Sequence, residues 1–355
     1  MSKKKTVLVF ATQHMLTGGI ESHLKSFCEN MANHGVIVDL LVLNSQMDAT
    51  TEQHYKKYCR NVFLLKKGGL SGKLGLLGFF LKSLGVKYNA LYTNGQGNSI
   101  ATIIKLCSYR QWVHHHHTAG DKEDQATWPV KYIEVLKKAP VVVACSTKNA
   151  GDMELALNRE IITTPVFSTK ITLDKNNDKN SGKVNLGYYG RLIPEKGIDV
   201  LCRLSNEKDL DAIQFHIWGE GEKYNSDFFK QYPNILYHGK FQTKEELKKV
   251  LETIDGYLLI SVHPEGLPVS LLELMSAGIP WLSTDKGGIS DIACDPMATR
   301  VIPATESYEY IKEHVNNFAS DIFSGKIDRD NQIRLYDIKF ASPVLVKQWS
   351  SLLFN

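Results

Sequence analysis

Short apolar runs alternate with helical periodicity along most of this chain of 355 residues. Short apolar runs bounded by turn residues indicate buried strands, and strands that alternate with helices are typical of a parallel, doubly wound α/β sheet. The predicted strands lie at residues 7–11, 38–43, 62–65, 90–93, 112–114, 141–145, 185–189, 214–218, 235–238, 257–260 and 280–283. The predicted helices begin near residues 20, 70, 100, 130, 198, 227, 245, 268, 308 and 342. We therefore expect an α/β fold.

The alternation is interrupted at residues 168–183, which are polar and rich in asparagine and lysine. A chain of this length is long for one hydrophobic core and suits two domains. We expect the interdomain linker in this stretch, with a first domain at residues 1–170 and a second domain at residues 171–341.

The composition excludes several classes of protein. It is 43% hydrophobic and 23% charged, which is ordinary for a globular protein. No apolar run approaches the roughly 20 residues of a membrane-spanning helix, and the lysine-rich N-terminus lacks the apolar region of a signal peptide. The six cysteines are scattered, with no Cys-x-x-Cys pair and no metal-ligand spacing. These features predict a cytoplasmic protein with reduced thiols.

The net charge of +4 is unevenly distributed. Residues 1–170 hold 21 lysines and arginines against 12 aspartates and glutamates, whereas the remainder holds 21 against 26. We therefore expect only the first half to meet an anionic surface.

Residues 66–87 are the predicted contact with such a surface, a membrane. Leu70, Leu74, Leu77, Leu81 and Leu84 form one helical stripe, which we expect the domain core to cover. The large apolar residues off that stripe and the neighbouring cations then remain for lipid headgroups: Leu76, Phe79, Phe80, Lys66, Lys67, Lys73, Lys82 and Lys87. The alternative is a helix buried on both sides, with its lysines at the ends.

Residues 255–291 carry the strongest chemical signal. A strand leads through a loop with Glu265 into a helix that carries Glu273, and Pro268 suits the first turn of that helix. Gly278 is predicted to end it. The first N–H groups of such a helix form an anion site between the two carboxylates. A nucleotide-sugar has the matching form, with a diphosphate between two polyhydroxyl groups.

Two further glycine-rich segments point to phosphate binding. Arg191 follows a predicted strand and Lys196 precedes the next helix, so both cations could reach one phosphate group. Gly18 and Gly19 follow the first strand and open the first helix, where a ligand can approach the backbone closely. The segment with Gly18 and Gly19 has neither the pattern of a dinucleotide fingerprint nor that of a P-loop.

The histidines at 114–117 suggest a metal site at first sight. Adjacent side chains on extended backbone point to opposite faces, so four successive histidines cannot all bind one ion. No acidic or cysteine cluster with ligand spacing lies nearby in the sequence. His115 and His117 face the same side.

Residues 255–291 resemble the signature of glycosyltransferase family four, whose members are retaining enzymes of GT-B architecture. The matching residues are Glu265, Glu273, Ala277, Gly278, Pro280, Gly287, Gly288 and Asp291. Gly190, Arg191, Lys196 and Gly197 are similar to the family's donor-phosphate motif. The similarity covers roughly residues 7–35 and nearly everything from 184 to 295.

The resemblance implies a GT-B fold, two facing Rossmann-like domains with the active site in the interdomain cleft, and a C-terminal helix, 342–355, packed on the first domain. It implies transfer of a hexose with retention, from a UDP- or GDP-sugar to a hydroxyl of a glycan or lipid-linked acceptor, in bacterial surface polysaccharide or glycoconjugate synthesis. The expected catalytic residues are Glu265, His117 (or His115 in its place), Arg191 and Lys196. The expected donor-binding residues are Gly18, Gly19, Arg191, Lys196, Gly219, Phe241, Glu265, Gly266, Leu267, Pro268 and Glu273.

Neither a cofactor nor a metal is expected, because Arg191, Lys196 and the helix N-termini can stabilise the leaving diphosphate. No nucleic-acid partner is expected, and the expected location is cytoplasmic, with possible peripheral contact on the inner face of the plasma membrane. The alternatives are a sugar-nucleotide epimerase or phosphorylase of the same fold, or a sugar-nucleotide sensor without activity.

Overall fold

The computed structural model describes residues 4–16, 18–65, 69–174, 182–304 and 307–355, and for residues 69–73 it describes the backbone alone. Among these residues, no helix combines the length and the apolar character that crossing a membrane requires.

The chain forms two compact units, Met1–Ser168 with Ser342–Asn355, and Thr169–Ala341. The boundary follows Ser168 rather than residue 170, because Lys170 and Ile171 already bond to the second unit. The Lys170 ammonium pairs with Asp337, and the Ile171 N–H donates to Ser276 Oγ at 2.9 Å. Residues 175–181 of the predicted linker lie outside the described residues.

The first unit is a seven-stranded parallel sheet with the strand order β3-β2-β1-β4-β5-β6-β7 and helices on both faces. Its strands are β1 (Thr6–Ala11), β2 (Ile37–Val42), β3 (Asn61–Leu64), β4 (Lys87–Asn94), β5 (Ser108–His116), β6 (Val141–Ala144) and β7 (Ile162–Thr163). Its helices are α1 (Gly19–Asn33), α2 (Ala49–Tyr58), α3 (Gly69–Ser83), α4 (Ile100–Leu106), α5 (Lys122–Gln125), α6 (Val130–Lys138) and α7 (Thr147–Leu157), with α14 (Ser342–Phe354) from the end of the chain.

The sheet of the first unit separates two hydrophobic clusters. Because side chains alternate along a strand, Val7 and Val9 of β1 enter one cluster, whereas Leu8 and Phe10 enter the other. The fully buried indole of Trp349, on α14, completes the first cluster. The last helix is therefore part of the core of the first unit.

The second unit is a six-stranded parallel sheet with the strand order β10-β9-β8-β11-β12-β13. Its strands are β8 (Val184–Tyr189), β9 (Ile213–Trp218), β10 (Ile235–Tyr237), β11 (Gly256–Leu259), β12 (Trp281–Thr284) and β13 (Thr299–Ile302). Its helices are α8 (Ile198–Leu204), α9 (Ser226–Phe229), α10 (Lys244–Thr253), α11 (Val269–Ser276), α12 (Tyr308–Phe323) and α13 (Arg329–Lys339).

Several elements differ from the sequence expectation. The predicted pattern lacked α2, α7 and α13, which are too polar to show apolar periodicity, although each begins at a side chain that caps its N-terminus: Asp48, Ser146 and Asp328. Strand β5 extends further in both directions than residues 112–114. Pro268 is the N-cap of α11 and not a residue of its first turn. Gly278, with φ +69°, follows the end of that helix as predicted.

The exposed face of α3 is the opposite of the predicted one. Leu74, Leu77 and Leu81 are 58%, 54% and 61% exposed, and Leu84, just beyond the helix, is 72% exposed. Phe79, predicted to be exposed, is fully buried, and its ring lies 5.1 Å from that of Phe63 on β3.

Leu76 and Phe80 are partly buried against the same cluster as Phe79. Both faces of this segment are apolar, so the fit of the aromatic rings to β3 decided which face packs inward. Of the cations predicted beside them, Lys66 and Lys67 and the side chain of Lys73 lie outside the described part of the chain.

The packing of α14 makes a stability prediction. Trp349→Ala should destabilise the first unit by about 3–5 kcal/mol, because it removes a large buried ring and leaves a cavity. Thermal or urea unfolding followed by circular dichroism measures this loss. Lys347→Ala on the exposed side of the same helix is the control, and equal unfolding midpoints for the two variants would contradict the prediction.

Candidate functional site

The second unit has a topological switch point between β8 and β11. From β8 the strand order continues to β9 and β10 on one side, and to β11, β12 and β13 on the other. In open α/β sheets, ligands bind outside the carboxyl ends of the strands at such a point. The segments that follow β8 and β11 carry three predicted site residues, Arg191, Lys196 and Glu265.

Lys196 and Glu265 form an ion pair. The Lys196 ammonium donates to both carboxylate oxygens of Glu265, with Nζ–Oε distances of 2.6 Å. The hydroxyl of the buried Ser261 donates to Glu265 Oε1 at 2.7 Å. The side chains of Lys196 and Glu265 remain 19% and 13% exposed. A cation and a carboxylate therefore meet where a bound molecule can still reach them.

Two glycines permit this meeting. Gly197, at φ +74°, lies so close to the end of β11 that a Cβ atom there would be 1.9 Å from the Ile260 carbonyl oxygen. Gly287, at φ +64°, lies equally close to the Glu265 carbonyl oxygen. The Gly288 N–H donates to that oxygen at 3.0 Å. Only glycine can occupy positions 197 and 287. The close contacts at these two positions fix where Lys196 and Glu265 lie.

Glu273 is buried on α11, at 9% exposure. The Tyr189 hydroxyl lies 3.3 Å from Glu273 Oε2 and 3.1 Å from the Ser270 carbonyl oxygen. Burial raises the pKa of Glu273 to about 7, and the hydrogen bond from Tyr189 offsets this only in part. The carboxylate is therefore short of hydrogen-bond donors, as expected of a group that receives them from a ligand.

Gly219 and Phe241 belong to neighbouring loops of this sheet. Gly219, at φ +141°, packs on the loop after β8, where a Cβ atom would lie 2.0 Å from the Gly190 carbonyl oxygen. The Phe241 ring packs edge-on against that of Tyr189, with an interplanar angle of 72° and 5.8 Å between the centroids. Tyr189 thus links Phe241 to Glu273.

The other predicted residues of this unit lie around the same loops. Gly266, Leu267 and Pro268 connect Glu265 to α11, and the Leu267 side chain is buried. The Arg191 side chain is exposed directly after β8. The structure therefore brings the predicted residues of the second unit to one edge of its sheet.

In the first unit, Gly18 and Gly19 open α1 as predicted. The Glu21 carboxylate lies beside Gly18, where a Cβ atom would be 2.2 Å from Oε2, and it accepts the Met15 N–H at 3.0 Å. A carboxylate that already bonds this loop makes it a less open anion site than the two glycines alone predict.

The four successive histidines occupy both faces of the end of β5. On one face, the Tyr132 hydroxyl lies 2.9 Å from His114 Nε2 and 2.8 Å from His116 Nδ1. His116 Nε2 lies 2.9 Å from Asp124 Oδ2, and that oxygen also accepts the Gly120 N–H at 2.9 Å. This face of β5 is a closed structural network.

On the other face, the Tyr92 hydroxyl lies among three histidines. Its distances are 3.1 Å to His23 Nε2, 2.8 Å to His115 Nδ1 and 3.4 Å to His117 Nε2. Cys145 Sγ lies 3.4 Å from His115 Nε2. Burial lowers the pKa of His23 to about 3 and lowers the pKa of His115 and His117 well below their usual range. All three imidazoles are therefore neutral near neutral pH.

Ligand nitrogens of His23, His115 and His117 lie within 4.8 Å of one another, which suits the size of a metal site. The Tyr92 oxygen, however, occupies the space between them. In addition, the Phe167 N–H donates to His23 Nδ1 at 2.9 Å, so the proton of the neutral ring sits on Nε2, which then has no lone pair for a metal. The donor set does not fit an ion.

Five residues that sequence reasoning missed support these groups: Ser261, Tyr189, Tyr92, His23 and Cys145. Ser261 lies in the same loop as Glu265, and each of the other four lies in a different element from the residue that it contacts. None of the five has a motif of its own. Three of them, Ser261, Tyr189 and Cys145, lie at the carboxyl ends of predicted strands, and this position could have indicated them.

Residues 169–333, most of the second unit, match the model of the family "Glycosyl transferases group 1". The chain is 30% identical over 129 residues to the putative colanic acid biosynthesis glycosyltransferase WcaL of Escherichia coli. The aligned region covers 33% of this chain and 32% of that protein. It is 30% identical over 127 residues to the GDP-mannose-dependent alpha-mannosyltransferase of Corynebacterium glutamicum, 34% of this chain and 28% of that protein. The chain thus spans about a third of the length of the curated relatives that it matches.

The whole chain is similar to a solved structure, that of Anabaena Alr3699/HepE in complex with UDP-glucose. The TM-score is 0.75 over 98% of this chain and 99% of that one, at 16% sequence identity. The fold is therefore GT-B, as predicted. The second unit carries the sequence pattern of group 1 glycosyl transferases.

The buried carboxylate of Glu273 makes a prediction about stability and pH. Its pKa is about 7 in the folded chain and near 4.5 when solvated, so its charge costs stability increasingly as the pH rises from about 4.5 to 7. Glu273→Gln should stabilise the ligand-free protein by up to about 3 kcal/mol at pH 8, and by under about 1 kcal/mol at pH 5.

Unfolding midpoints of both proteins between pH 5 and pH 8 measure this difference. Glu313→Gln, an exposed substitution in the same unit, is the control. A stabilisation by Glu273→Gln that does not change with pH would mean that the carboxylate is not held in an unfavourable environment.

Proposed function

We propose that this chain is a retaining glycosyltransferase, which moves a hexose from a nucleotide-sugar to a hydroxyl group of a glycan or lipid-linked acceptor. The ion pair of Lys196 and Glu265, at the carboxyl ends of β8 and β11, is the observation that carries the proposal. It puts a cation suited to a phosphate next to a carboxylate suited to sugar hydroxyls. The family match over residues 169–333 supports the same activity.

The donor would lie along the edge of the second sheet. Arg191 and Lys196 would bind the diphosphate together with the N–H groups that open α11. Glu265 would accept hydrogen bonds from the transferred sugar, and Glu273 from the ribose. Gly219 and Phe241 would adjoin the base.

The base is a uracil or a guanine in this proposal. HepE was solved with UDP-glucose, and the mannosyltransferase of C. glutamicum is named for GDP-mannose. Both names support a nucleotide-sugar donor in general.

In the reaction, the bond between the anomeric carbon and the diphosphate breaks, and a bond to the acceptor oxygen forms on the same face of the sugar. The acceptor proton leaves with the departing diphosphate. Arg191 and Lys196 stabilise the negative charge that develops on the diphosphate, so that no metal ion is required. His117, or His115 in its place, stays a predicted catalytic residue of the first unit.

The ion pair gives the decisive test. The chain is incubated with UDP- and GDP-hexoses and candidate glycan acceptors, and the glycosylated product is detected by mass spectrometry. Lys196→Ala should slow turnover at saturating donor by roughly 2–4 kcal/mol of barrier, by analogy with the loss of one preorganised donor. Lys223→Ala is the control, because it breaks an exposed ion pair with Asp199.

Near-normal turnover by Lys196→Ala would refute the role of the lysine. Free nucleotide and sugar in place of a glycosylated product, or use of inorganic phosphate, would favour the epimerase and phosphorylase alternatives. Tight binding of a nucleotide-sugar without any product would favour the sensor.

The acceptor side of the proposal includes contact with a membrane surface and a role in bacterial polysaccharide synthesis. The name of WcaL supports the role in polysaccharide synthesis. The exposed leucines 74, 77, 81 and 84 follow one another at spacings of three and four residues, and so form one apolar stripe. Lys82 and Lys87 lie nearby, in a half of the chain with an excess of basic residues. Apolar side chains beside cations suit the headgroup region of an anionic bilayer, where each cation adds about 1 kcal/mol. A cytoplasmic location on the inner face of the plasma membrane stays a prediction.

Vesicle flotation tests this surface. The protein should float with phosphatidylglycerol-containing vesicles at low salt and less at high salt. Leu77→Ser with Leu81→Ser should abolish flotation, because both exposed leucines would leave the bilayer. Leu155→Ser, which changes a leucine that is 87% exposed on α7, should have no effect. Unchanged flotation of the double variant would exclude the α3 surface as the contact.

A further inference from the structure

The two carboxylates of the proposed donor site have opposite environments. Glu265 accepts hydrogen bonds from the Lys196 ammonium and the Ser261 hydroxyl. Glu273 is only 9% exposed. Within the described part of the chain, the Tyr189 hydroxyl alone lies within hydrogen-bond distance of the Glu273 carboxylate. A cation therefore stabilises the charge of Glu265, whereas one neutral hydroxyl faces Glu273.

The hydrogen bonds around Tyr189 show how poorly the charge of Glu273 is supported. The hydroxyl has a single proton and two acceptors within reach, Glu273 Oε2 at 3.3 Å and the Ser270 carbonyl oxygen at 3.1 Å. Whichever of them receives the proton, an ionised Glu273 gains at most one hydrogen bond for its about four lone-pair positions. A buried charge with so few donors is costly, and a protonated carboxyl group avoids this cost.

The neighbouring elements add no charge that would offset this cost. Tyr189 of β8 and Tyr257 of β11 face Glu273, and burial raises the pKa of both hydroxyls, so that both are neutral near neutral pH. On the side of α13, Arg329 lies beside Gly278, beyond the end of α11. Among the described residues, burial and the Tyr189 hydrogen bond are the causes that shift the pKa of Glu273, to about 7.

A nucleotide-sugar would supply the missing donors. The two ribose hydroxyls keep their protons near neutral pH and can donate to both carboxylate oxygens, and each such bond favours the ionised form of Glu273. Covering the carboxyl group favours the neutral form, but a group that is 9% exposed has little hydration left to lose. The negative charge of the diphosphate also opposes ionisation, and Arg191 and Lys196 of the proposed site offset it.

We propose that binding of the nucleotide-sugar releases a proton from Glu273 to the solvent, so that the donor and this proton compete for one carboxylate. The donor would then bind weakly below neutral pH and tightly above it. The ribose contact rests on the proposed function. The protonation of Glu273 in the free protein does not depend on that function.

Calorimetry measures the released proton. UDP-glucose and GDP-mannose are the probes, because a diphosphate that is esterified at both ends does not titrate near neutral pH. Titrations in buffers of different ionisation enthalpy should show release of about half a proton per bound ligand at pH 7, and linkage makes the dissociation constant about thirtyfold higher at pH 5.5 than at pH 8. The exposed His263, in the loop before Glu265, would take up a proton if it became charged beside the diphosphate, so the sign of the exchange distinguishes the two groups.

Two phenylalanine variants provide a matched comparison. Tyr189→Phe removes the hydroxyl beside Glu273, whereas Tyr257→Phe removes a neighbouring hydroxyl that donates to the Tyr189 carbonyl oxygen at 3.0 Å. Because the Tyr189 hydrogen bond lowers the pKa of Glu273, its loss should move the pH at which the affinity falls upward by roughly half a unit. Tyr257→Phe should leave that pH unchanged. Glu273→Gln should bind the donor more weakly and release no proton.

The free protein is tested separately. Carbon-13 spectra of protein labelled at the glutamate carboxyl groups should contain one resonance that titrates near pH 7 and is missing from Glu273→Gln. A Glu273 resonance that titrates with the exposed glutamates would overturn the proposal, as would binding without proton release or equal shifts in the two phenylalanine variants. If neither nucleotide-sugar binds, the linkage and the proposed function both fail. Binding and sugar transfer without proton release would overturn the linkage alone.

Discussion

The site of the second unit depends on two approaches of main chain to main chain that leave no room for a side chain. Gly197 lies against the end of β11, and Gly287 lies against the carbonyl group of Glu265. The first contact holds the loop after β8 against the end of β11, and the second holds the loop after β12 against the loop that carries Glu265, so that Lys196 and Glu265 can bond. A partly buried ion pair contributes little net stability, because desolvation offsets the attraction. Because the pair lies at the switch point of the sheet, ligand binding explains its presence better than a gain in stability does.

The two units treat their polar groups in opposite ways. In the second unit, a paired lysine and glutamate stay within reach of solvent, and the buried carboxylate of Glu273 has a raised pKa in spite of its hydrogen bond from Tyr189. Both arrangements leave bonding capacity for a charged or polyhydroxyl ligand. In the first unit, His114 and His115 of β5 bond to the hydroxyls of Tyr132 and Tyr92, and the buried His23 of α1 also bonds to the Tyr92 hydroxyl. Such a network holds its members in place, because a member that lost its partner would be a buried polar group without a hydrogen bond.

The α3 helix shows the limit of apolar patterning. Both of its faces are apolar, and the sequence expectation chose the leucine stripe as the buried one. The structure buries Phe79 instead, against Phe63 on β3, and leaves Leu77 and Leu81 exposed. Apolar patterning alone allows either face to pack inward, and the contact of Phe79 with Phe63 shows which face does. The proposed membrane surface therefore moved to the other face of the helix while its chemistry stayed the same.

The sequence by itself determined the sheet class, most strands and the motif residues at their carboxyl ends, because strand–helix alternation and local glycine chemistry act between near neighbours. Polar helices such as α2 and α13 were not predicted, since they bury too few apolar residues to show a helical period. Tertiary structure alone decided which groups meet across the chain: Tyr189 with Glu273, and Tyr92 with His23 and His117. These three contacts join residues far apart in sequence, and such a pairing depends on packing that no local pattern encodes.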